Sequence, residues 1–449
     1  MYLVFLLTLL YAKVPEFFRA PPDFGWCVAT AAHQNEGNNT KSDWWDFEQK
    51  TMKQSSGKAC DHWNRIEEDT KLLQDLHVNQ YRMSLEWAKI EPEEGKLDHE
   101  AIEHYQKEIA LLHEKHIEPI ITLHHFTMPQ WLRQKGGWLW AGAPEAFANY
   151  ASFAIKHIAP HATTWVTFNE PMIHIGGGYF WGIVPPNQKG SIKNVVLPLL
   201  GVLQAHAAAY HAMKHINPHL RIGVTHHMRV FAPYASWSPF DHIMARALDR
   251  SFNWAFLDAL ETGSLKLHVP FALRHQSLIR QVQKTQDFIG INYYTRDFIQ
   301  FHPFTKNKMI LHTREPKSNL GWEIYPQGLY NILHETHERY PRLPILVTEN
   351  GIADQHDEKR SEFLKTHIVA TLQARSEGVP VQSYCHWTLM DNFEWLEGFH
   401  ARFGLYAHDE TTNTRTPRPS AKVYRNIILK GGILGKPFTS HAHKLRHHQ

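Results

Sequence analysis

The stretch TWVTFNEP, residues 164–171, decides how this chain is interpreted. Its first five residues are mainly apolar or β-branched, as in a strand that is buried on both faces. The strand then ends in an amide, Asn169, and a carboxylic acid, Glu170. An ionised carboxylate at the end of a buried strand costs free energy unless another group pairs with it or uses it. A structural ion pair and a helix cap are the alternatives to a role in chemistry.

Similar short apolar runs recur along the chain, separated by longer segments that often have helical periodicity. We predict eight strands, at residues 24–32, 78–87, 119–126, 164–169, 221–227, 287–294, 344–351 and 379–387. Helices are predicted at residues 64–76, 100–116, 144–158 and 360–378, with Pro144 in a first turn and Gly378 after a last turn. This alternation, without a break in composition, predicts one α/β domain, a single (β/α)8 TIM barrel. The alternative is an open doubly wound sheet, but the first strand is not followed by the GxGxxG loop of dinucleotide binding.

The composition is that of a globular protein with a substantial core, since 43% of the 449 residues are apolar and 20% are charged. The formal net charge of +3 is too small, and the basic residues are too scattered, to favour nucleic-acid binding. Most of the 34 histidines are expected on solvated surfaces. Three cysteines without CxxC spacing argue against a disulfide framework and a zinc site, so Cys27 and Cys385 are expected to be small buried apolar residues.

The two ends of the chain differ from the region between them. The first twelve residues, MYLVFLLTLLYA, are as apolar as a signal-peptide core but lack a basic start and an A-x-A cleavage site. We therefore expect residues 1–23 to be an apolar extension of a cytoplasmic protein, with export by a cleaved signal as the alternative. Residues 24–430 are expected to form the barrel, and residues 431–449 a flexible, basic and His-rich tail. No other segment is expected to span a membrane.

Polar side chains gather where the predicted strands end, and in a barrel the carboxyl ends of all strands surround one mouth. The set combines carboxylates and amides with tryptophans, which suits a sugar because hydroxyl groups need hydrogen bonds and the C–H face of the ring needs an aromatic surface. Its members are Gln34, Glu36, Arg82, Glu86, Trp87, His124, His125, Asn169, Glu170, Asn292, Tyr293, Tyr294, Glu349, Asn350, Trp387, Glu394 and Trp395.

Two acids stand out because each follows a strongly apolar strand: Glu170 in WVTFNEP and Glu349 in ILVTENG. Two carboxyl groups that face one bond can serve as proton donor and nucleophile in glycoside cleavage. This chemistry needs one acid protonated and the other ionised. We expect Arg82 and Tyr294 to keep Glu349 ionised, and the resulting negative charge to raise the pKa of Glu170. The alternative for each acid alone is a buried ion pair.

Six motifs carry a resemblance that covers nearly the whole chain. They are FGWCVATAAHQNEG, TLHHFTMPQWL, TFNEP, GINYYT, VTENG and WTLMDNFEWLEGFHARFGLY, in this order. From about Phe24 to about Ile428 the chain resembles glycoside hydrolase family 1, the retaining β-glucosidase family. That resemblance implies a (β/α)8 barrel, in agreement with the strand pattern.

The resemblance also implies a role for each matching residue. Glu170 would be the general acid/base and Glu349 the nucleophile. Asn169 would hold the sugar 2-hydroxyl, and Trp387 would stack on the ring. The other hydroxyls would be bound by Gln34, His125, Glu394 and Trp395, and the nucleophile would be supported by Arg82, Asn292 and Tyr294. The negative charge of Glu394 would repel a 6-phosphate, which disfavours a phosphorylated substrate.

The predicted function is therefore retaining, exo-acting hydrolysis of β-D-glucosides, and of β-galactosides or β-fucosides as further substrates. The partner would be a small-molecule β-glycoside or oligosaccharide, and no cofactor or metal is expected. Two alternatives stay open: a β-glycoside transglycosylase, and a sugar-binding barrel without turnover. The paired histidines His124–His125 and His226–His227 are expected to form hydrogen bonds, because neighbours on a strand face opposite sides and cannot share a metal.

Overall fold

A computed structural model describes residues 14–305 and 309–439 of the chain. Within these ranges, parallel strands close into a barrel of eight, as predicted, and the last pairing joins the fifth strand to the sixth. The strands are β1 (Gly25–Ala29), β2 (Gln80–Ser84), β3 (Glu118–His124), β4 (Thr164–Asn169), β5 (Arg221–Pro233), β6 (Phe288–Phe301), β7 (Ile345–Asn350) and β8 (Val381–Trp387).

A helix follows each strand and covers the outside of the barrel. These helices are α1 (Ile66–Leu76), α2 (His99–Glu114), α3 (Ala143–Phe153), α4 (Val196–Ile216), α5 (Ala255–Thr262), α6 (Pro326–Arg339), α7 (Arg360–Ser376) and α8 (Pro419–Lys430). Local signals set several of their ends. The Asp98 side chain accepts a hydrogen bond from the Ala101 backbone N–H and caps α2, Pro144 lies in the first turn of α3, and Gly378 has a positive φ of 100° just beyond α7.

Shorter elements fill the loops between strands and helices. The short helices are Ala32–Asn35, Asp43–Thr51, Trp87–Ile90, Gln130–Gln134, Pro171–Ile175 and Pro239–Leu248. The 3-10 turns are His62–Asn64, Gly137–Leu139, Ile192–Val195, Arg280–Val282 and Trp395–Glu397, and the π-helical turns are Ala154–Ile158, Gly176–Trp181 and Asp249–Trp254. The additional strands are Glu16–Arg19, Ser264–Val269, Leu273–Leu278, Met309–His312, Tyr406–His408, Arg415–Pro417 and Gly432–Gly435.

The apolar residues form two main layers because alternate residues of a strand point to opposite sides. One layer fills the inside of the barrel and includes Ile120, Val166, Phe288 and Leu346. The larger layer lies between the strands and the covering helices. Strands covered on both faces explain why their sequences are almost continuously apolar.

Cys27 and Cys385 lie in the inner layer and are fully buried, as predicted, but they are joined by a disulfide. The expectation of no disulfide was wrong because sequence spacing does not show strand pairing. β1 and β8 are parallel neighbours, and their register places Cys27 directly beside Cys385, with the Cα atoms 4.1 Å apart. Cys60 is buried and free.

The segment Ile192–Ile216, which contains α4, is long and apolar enough to meet the criteria for a membrane span. This differs from the expectation that no internal segment would do so. In the structure 61% of its most apolar window is buried against the protein, which is also the behaviour of a core helix in a barrel.

The strand Glu16–Arg19 pairs antiparallel with the strand Gly432–Gly435. This pairing joins two segments that the sequence pattern placed outside the barrel, one in the N-terminal extension and one in the C-terminal tail. The apolar run at residues 1–12 and the His-rich residues 441–449 lie outside the described residues.

Candidate active site

Glu349 lies at the end of β7, and each of its carboxylate oxygens has a donor of its own. Arg82 of β2 donates from Nη1 to Glu349 Oε1, and Tyr294 of β6 donates its hydroxyl to Oε2 at 2.7 Å. Arg82 is fully buried and Glu349 is only 4% exposed. Two donors compensate the carboxylate for the water that it has lost.

Glu170 follows β4 directly and begins the short helix Pro171–Ile175. Its backbone φ is positive, at 47°, a conformation that residues other than glycine seldom adopt. Its backbone N–H donates to Thr225 O at 2.8 Å. Its Oε1 accepts a hydrogen bond from Asn292 Nδ2 at 2.7 Å and lies 3.0 Å from His227 Nδ1. Oε2 is left without a hydrogen-bond partner among the described residues. The backbone thus directs the carboxyl group into the mouth with one oxygen held and one available.

Asn169 links the surroundings of the two acids. Its Oδ1 accepts hydrogen bonds from Arg82 Nη2 at 2.7 Å and from Asn292 Nδ2 at 3.2 Å, so donors that bind Glu349 and Glu170 also bind Asn169. Its Nδ2 lies 3.1 Å from His125 Nε2. The two acids and the asparagine therefore belong to one connected network.

The remaining predicted binding residues lie around Trp387 and His125. Trp387, at the end of β8, donates from Nε1 to Glu394 Oε1 at 3.0 Å. Its ring stacks on His125 with centroids 5.9 Å apart, and Trp395 stacks on the same histidine at 6.0 Å. Gln34 is fully buried, and its Nε2 donates a hydrogen bond to Phe393 O at 3.0 Å. The structure thus brings together all eleven residues predicted for the site.

The electrostatics of the two acids differ from the expectation. Burial raises the pKa of Glu170, but electrostatic attraction to His227, hydrogen bonds from His227 and Asn292 and the charge of Arg82 together leave it lowered. Burial raises the pKa of Glu349, Arg82 lowers it and the negative charge of Glu170 raises it, with a net upward shift. We expected the opposite directions, from Arg82 and Tyr294 beside Glu349 and from the repulsion of Glu170 by its charge. The sequence did not place His227 beside Glu170, and it gave no measure of the burial that raises the pKa of Glu349.

The two shifts are linked through the charges of the carboxylates. A proton on Glu170 removes the negative charge that raises the pKa of Glu349, so it favours an ionised Glu349. When Glu170 carries the proton, Glu349 can therefore be ionised and accept the hydrogen bonds from Arg82 and Tyr294.

Glu394 is the third acid of the mouth. Burial raises its pKa to about 8. The hydrogen bond from Trp387 lowers the pKa, and the negative charge of Glu349 raises it further. The residue is partly exposed, and solvent that reaches it opposes this rise. The predicted repulsion of a phosphate by Glu394 therefore weakens below this pH.

Several strand-end residues of the predicted set point away from the mouth, mostly because neighbours on a strand face opposite sides. Trp87 stacks on Tyr150 with centroids 4.8 Å apart, and Tyr293 donates to Tyr325 O at 2.7 Å. Glu36 accepts from Lys89 Nζ at 2.8 Å, and Glu86 caps the helix Trp87–Ile90 through Ala88 N–H. The others that take structural positions are His124, which packs on Trp138 and Phe168, and Asn350, which donates to Tyr293 O at 2.6 Å.

One residue that touches the acids was not assigned to the site from sequence. His227 was expected only to form a hydrogen bond, and that bond is made with Glu170. Strand alternation places His227 on the same face of β5 as Thr225, but only the register of β4 and β5, in which Thr225 O binds Glu170 N–H, shows that this face meets Glu170.

Known proteins resemble this chain over nearly its full length. The model of glycosyl hydrolase family 1 matches residues 17–433. Beta-glucosidase A of Thermotoga maritima is 32% identical over 440 residues, which cover 92% of this chain and 98% of the relative. A 6-phospho-beta-galactosidase of Staphylococcus epidermidis is 30% identical over 464 residues, covering 91% and 98%.

Solved structures of the same kind of enzyme share the fold. A beta-glycosidase from Pyrococcus horikoshii has a TM-score of 0.86 and 36% identity, covering 93% of this chain and 96% of that one. The Thermotoga maritima beta-glucosidase in complex with castanospermine also has a TM-score of 0.86, with 30% identity and coverage of 93% and 99%. Because the family model and these relatives span almost the whole chain, the protein is a glycoside hydrolase that belongs to glycosyl hydrolase family 1.

Proposed function

We propose that the protein is a retaining, exo-acting β-glycosidase that removes a terminal β-D-glucosyl residue, and that it also accepts β-galactosides or β-fucosides. The observation that carries this proposal is the single hydrogen-bond network that joins Glu170 and Glu349 through Asn169, Arg82 and Asn292. Relatives named as β-glucosidases support glucose as the sugar.

In the first step Glu349 attacks the anomeric carbon, and the bond from that carbon to the glycosidic oxygen breaks. Glu170 gives its proton to the departing oxygen, so the aglycone leaves as a neutral alcohol and the sugar remains as an ester of Glu349. Arg82 and Tyr294 hold the nucleophile in place until it attacks. The free Oε2 of Glu170 suits the proton transfer because its other oxygen is already bound.

In the second step Glu170 acts as a base. It takes a proton from a water molecule whose oxygen attacks the anomeric carbon, and the ester bond to Glu349 breaks. The sugar leaves with its original β-configuration, and both carboxyl groups return to their starting protonation. An alcohol in place of the water would give a transglycosylation product by the same route.

The remaining side chains are assigned to binding of the sugar. Asn169 would hold the 2-hydroxyl, and Trp387 would offer its ring face to the sugar. Gln34, His125, Glu394 and Trp395 would bind the other hydroxyls. Glu394 argues for an unphosphorylated sugar wherever it is ionised, although one relative is named as a 6-phospho-beta-galactosidase.

The test is turnover of 4-nitrophenyl β-glucoside, β-galactoside and β-fucoside by the wild type and by Glu349→Gln and Glu170→Gln. We expect Glu349→Gln to lose turnover and Glu170→Gln to lose roughly 100- to 10,000-fold. Glu86→Gln is the matched control, because Glu86 also follows a barrel strand and is buried but caps a helix outside the network. Wild-type turnover by Glu349→Gln would contradict the assignment.

A further inference from the structure

His227 lies where β5 passes the end of β4. The register pairs Asn169 with Thr225, and His227 is two residues further along on the same face as Thr225. Its Nδ1 is 3.0 Å from Glu170 Oε1, and each of the two residues is only 6% exposed. The contact is therefore made inside the protein, where a charge acts more strongly than in water.

Within the described part of the chain, the rest of the His227 ring forms no hydrogen bond. Tyr294 stacks on it with centroids 5.7 Å apart, and Phe252 packs edge-on at 6.0 Å. Nε2 is buried and has no hydrogen-bond partner among the described residues. Since its one side-chain hydrogen bond goes to Glu170, His227 is not needed to hold another part of the fold through polar contacts.

The charged and titratable groups that face His227 come from three elements. Glu170 follows β4, Tyr294 and Asp297 belong to β6, and His226 and Arg229 belong to its own strand. Arg229 Nη1 pairs with Asp297 Oδ2 at 2.9 Å, and His226 Nε2 points away to Phe252 O at 2.9 Å. Of the two acids in this set, Glu170 is therefore the one that His227 contacts by a hydrogen bond.

We propose that His227 is a positioning residue that controls how readily Glu170 carries its catalytic proton. Together with Asn292, it holds Oε1 of Glu170, which leaves Oε2 to meet the leaving oxygen. This inference rests on the proposed acid/base role of Glu170. In support, the charge of His227 and its hydrogen bond are the largest effects that lower the pKa of Glu170 against burial.

The experiment is a pH profile of kcat/KM for the wild type, His227→Asn and His227→Leu. The alkaline limb of this profile reports loss of the catalytic proton from the free enzyme. Removing a group that lowers the pKa of Glu170 must move this limb to higher pH. With phenyl β-glucoside, a poor leaving group, we expect a shift of about one pH unit in His227→Leu. His227→Asn should shift less, because an amide can still donate a hydrogen bond but carries no charge.

The leaving group separates this role from a merely structural one. 2,4-Dinitrophenyl β-glucoside releases its phenolate without a proton, so its kcat/KM does not depend on the proton of Glu170. With that substrate we expect no alkaline limb from Glu170, either in the wild type or in the His227 variants. His226→Asn is the matched control, since it removes a neighbouring buried imidazole that binds Phe252 O, and it should lower the melting temperature without moving the limb. If His227→Leu fails to fold, as judged by circular dichroism, His227→Asn alone gives the test.

With phenyl β-glucoside, an alkaline limb that stays in place or moves to lower pH in the His227 variants would overturn the inference. That result would leave the proposed function intact if the wild type cleaves both substrates and Glu349→Gln does not. Absence of wild-type turnover on both substrates would instead overturn the function itself.

Discussion

Tyr294 donates its hydroxyl to Glu349 Oε2 at 2.7 Å, while Arg82 binds the other oxygen of the same carboxylate. The two donors come from β6 and β2, which lie on opposite sides of the barrel. The position of the nucleophile is thus set by side chains that only closure of the barrel brings together.

Tyr294→Phe should lower kcat and shift the acidic limb of the pH profile. The hydroxyl lowers the pKa of Glu349, so its removal raises that pKa, and the limb that reports ionisation of the nucleophile moves to higher pH. Loss of a hydrogen bond to a charged group predicts a decrease in kcat of roughly 10- to 100-fold.

Tyr293→Phe is the control for this measurement. Tyr293 precedes Tyr294 on β6, but its hydroxyl binds Tyr325 O on the outer side of the barrel. It should lose stability, by about 1 kcal/mol, and keep the wild-type profile. Identical acidic limbs in the wild type and Tyr294→Phe would be inconsistent with the proposed support of Glu349.

Glu394→Gln should affect activity in a pH-dependent way. Burial raises the pKa of Glu394 to about 8, so below that pH the wild-type carboxyl is neutral and resembles the amide. Above it, the ionised carboxylate forms stronger hydrogen bonds to sugar hydroxyls. The ratio of wild-type to variant kcat/KM should therefore grow between pH 6 and pH 9, whereas a constant ratio would show that Glu394 keeps one charge state throughout.

His206→Gln should reduce the free energy of unfolding more at neutral than at acidic pH. His206 of α4 lies 2.7 Å from Thr167 Oγ1 and from Thr285 O, and its burial lowers its pKa to about 4. As the pH falls below about 6.5, His206 therefore takes up a proton in the unfolded chain before it does so in the folded protein, which favours unfolding. The advantage of the wild type, about 1–3 kcal/mol at pH 7, should shrink by up to about 1.4 kcal/mol per pH unit towards pH 4.

Urea unfolding of the wild type and His206→Gln at several pH values gives this difference directly. Comparing the two proteins at each pH cancels the other titrating groups. A difference in unfolding free energy that is constant from pH 7 to pH 5 would show that His206 is protonated in the folded state as easily as in the unfolded chain.

The barrel and its mouth were predictable because both depend on local patterns. Apolar runs such as residues 344–351 identified the strands, and the polar residue at the end of each run marked the mouth. This is why Glu170, Glu349 and Arg82, which are far apart in the sequence, could be placed together.

Features that depend on register between strands were not predictable from one sequence. The disulfide of Cys27 and Cys385 requires that β1 and β8 be neighbours with these residues in line, and the contact of His227 with Glu170 requires the register of β4 and β5. Spacing also gave no measure of burial around Glu394, whose raised pKa follows from its packing.

The role of Glu349 as the nucleophile can be tested by trapping the intermediate with 2,4-dinitrophenyl 2-deoxy-2-fluoro-β-glucoside and mapping the adduct by mass spectrometry. We predict stoichiometric inactivation, with one fluoroglucosyl group on the peptide that contains Glu349. An adduct on Glu170, or turnover of aryl glucosides without any covalent adduct, would contradict it.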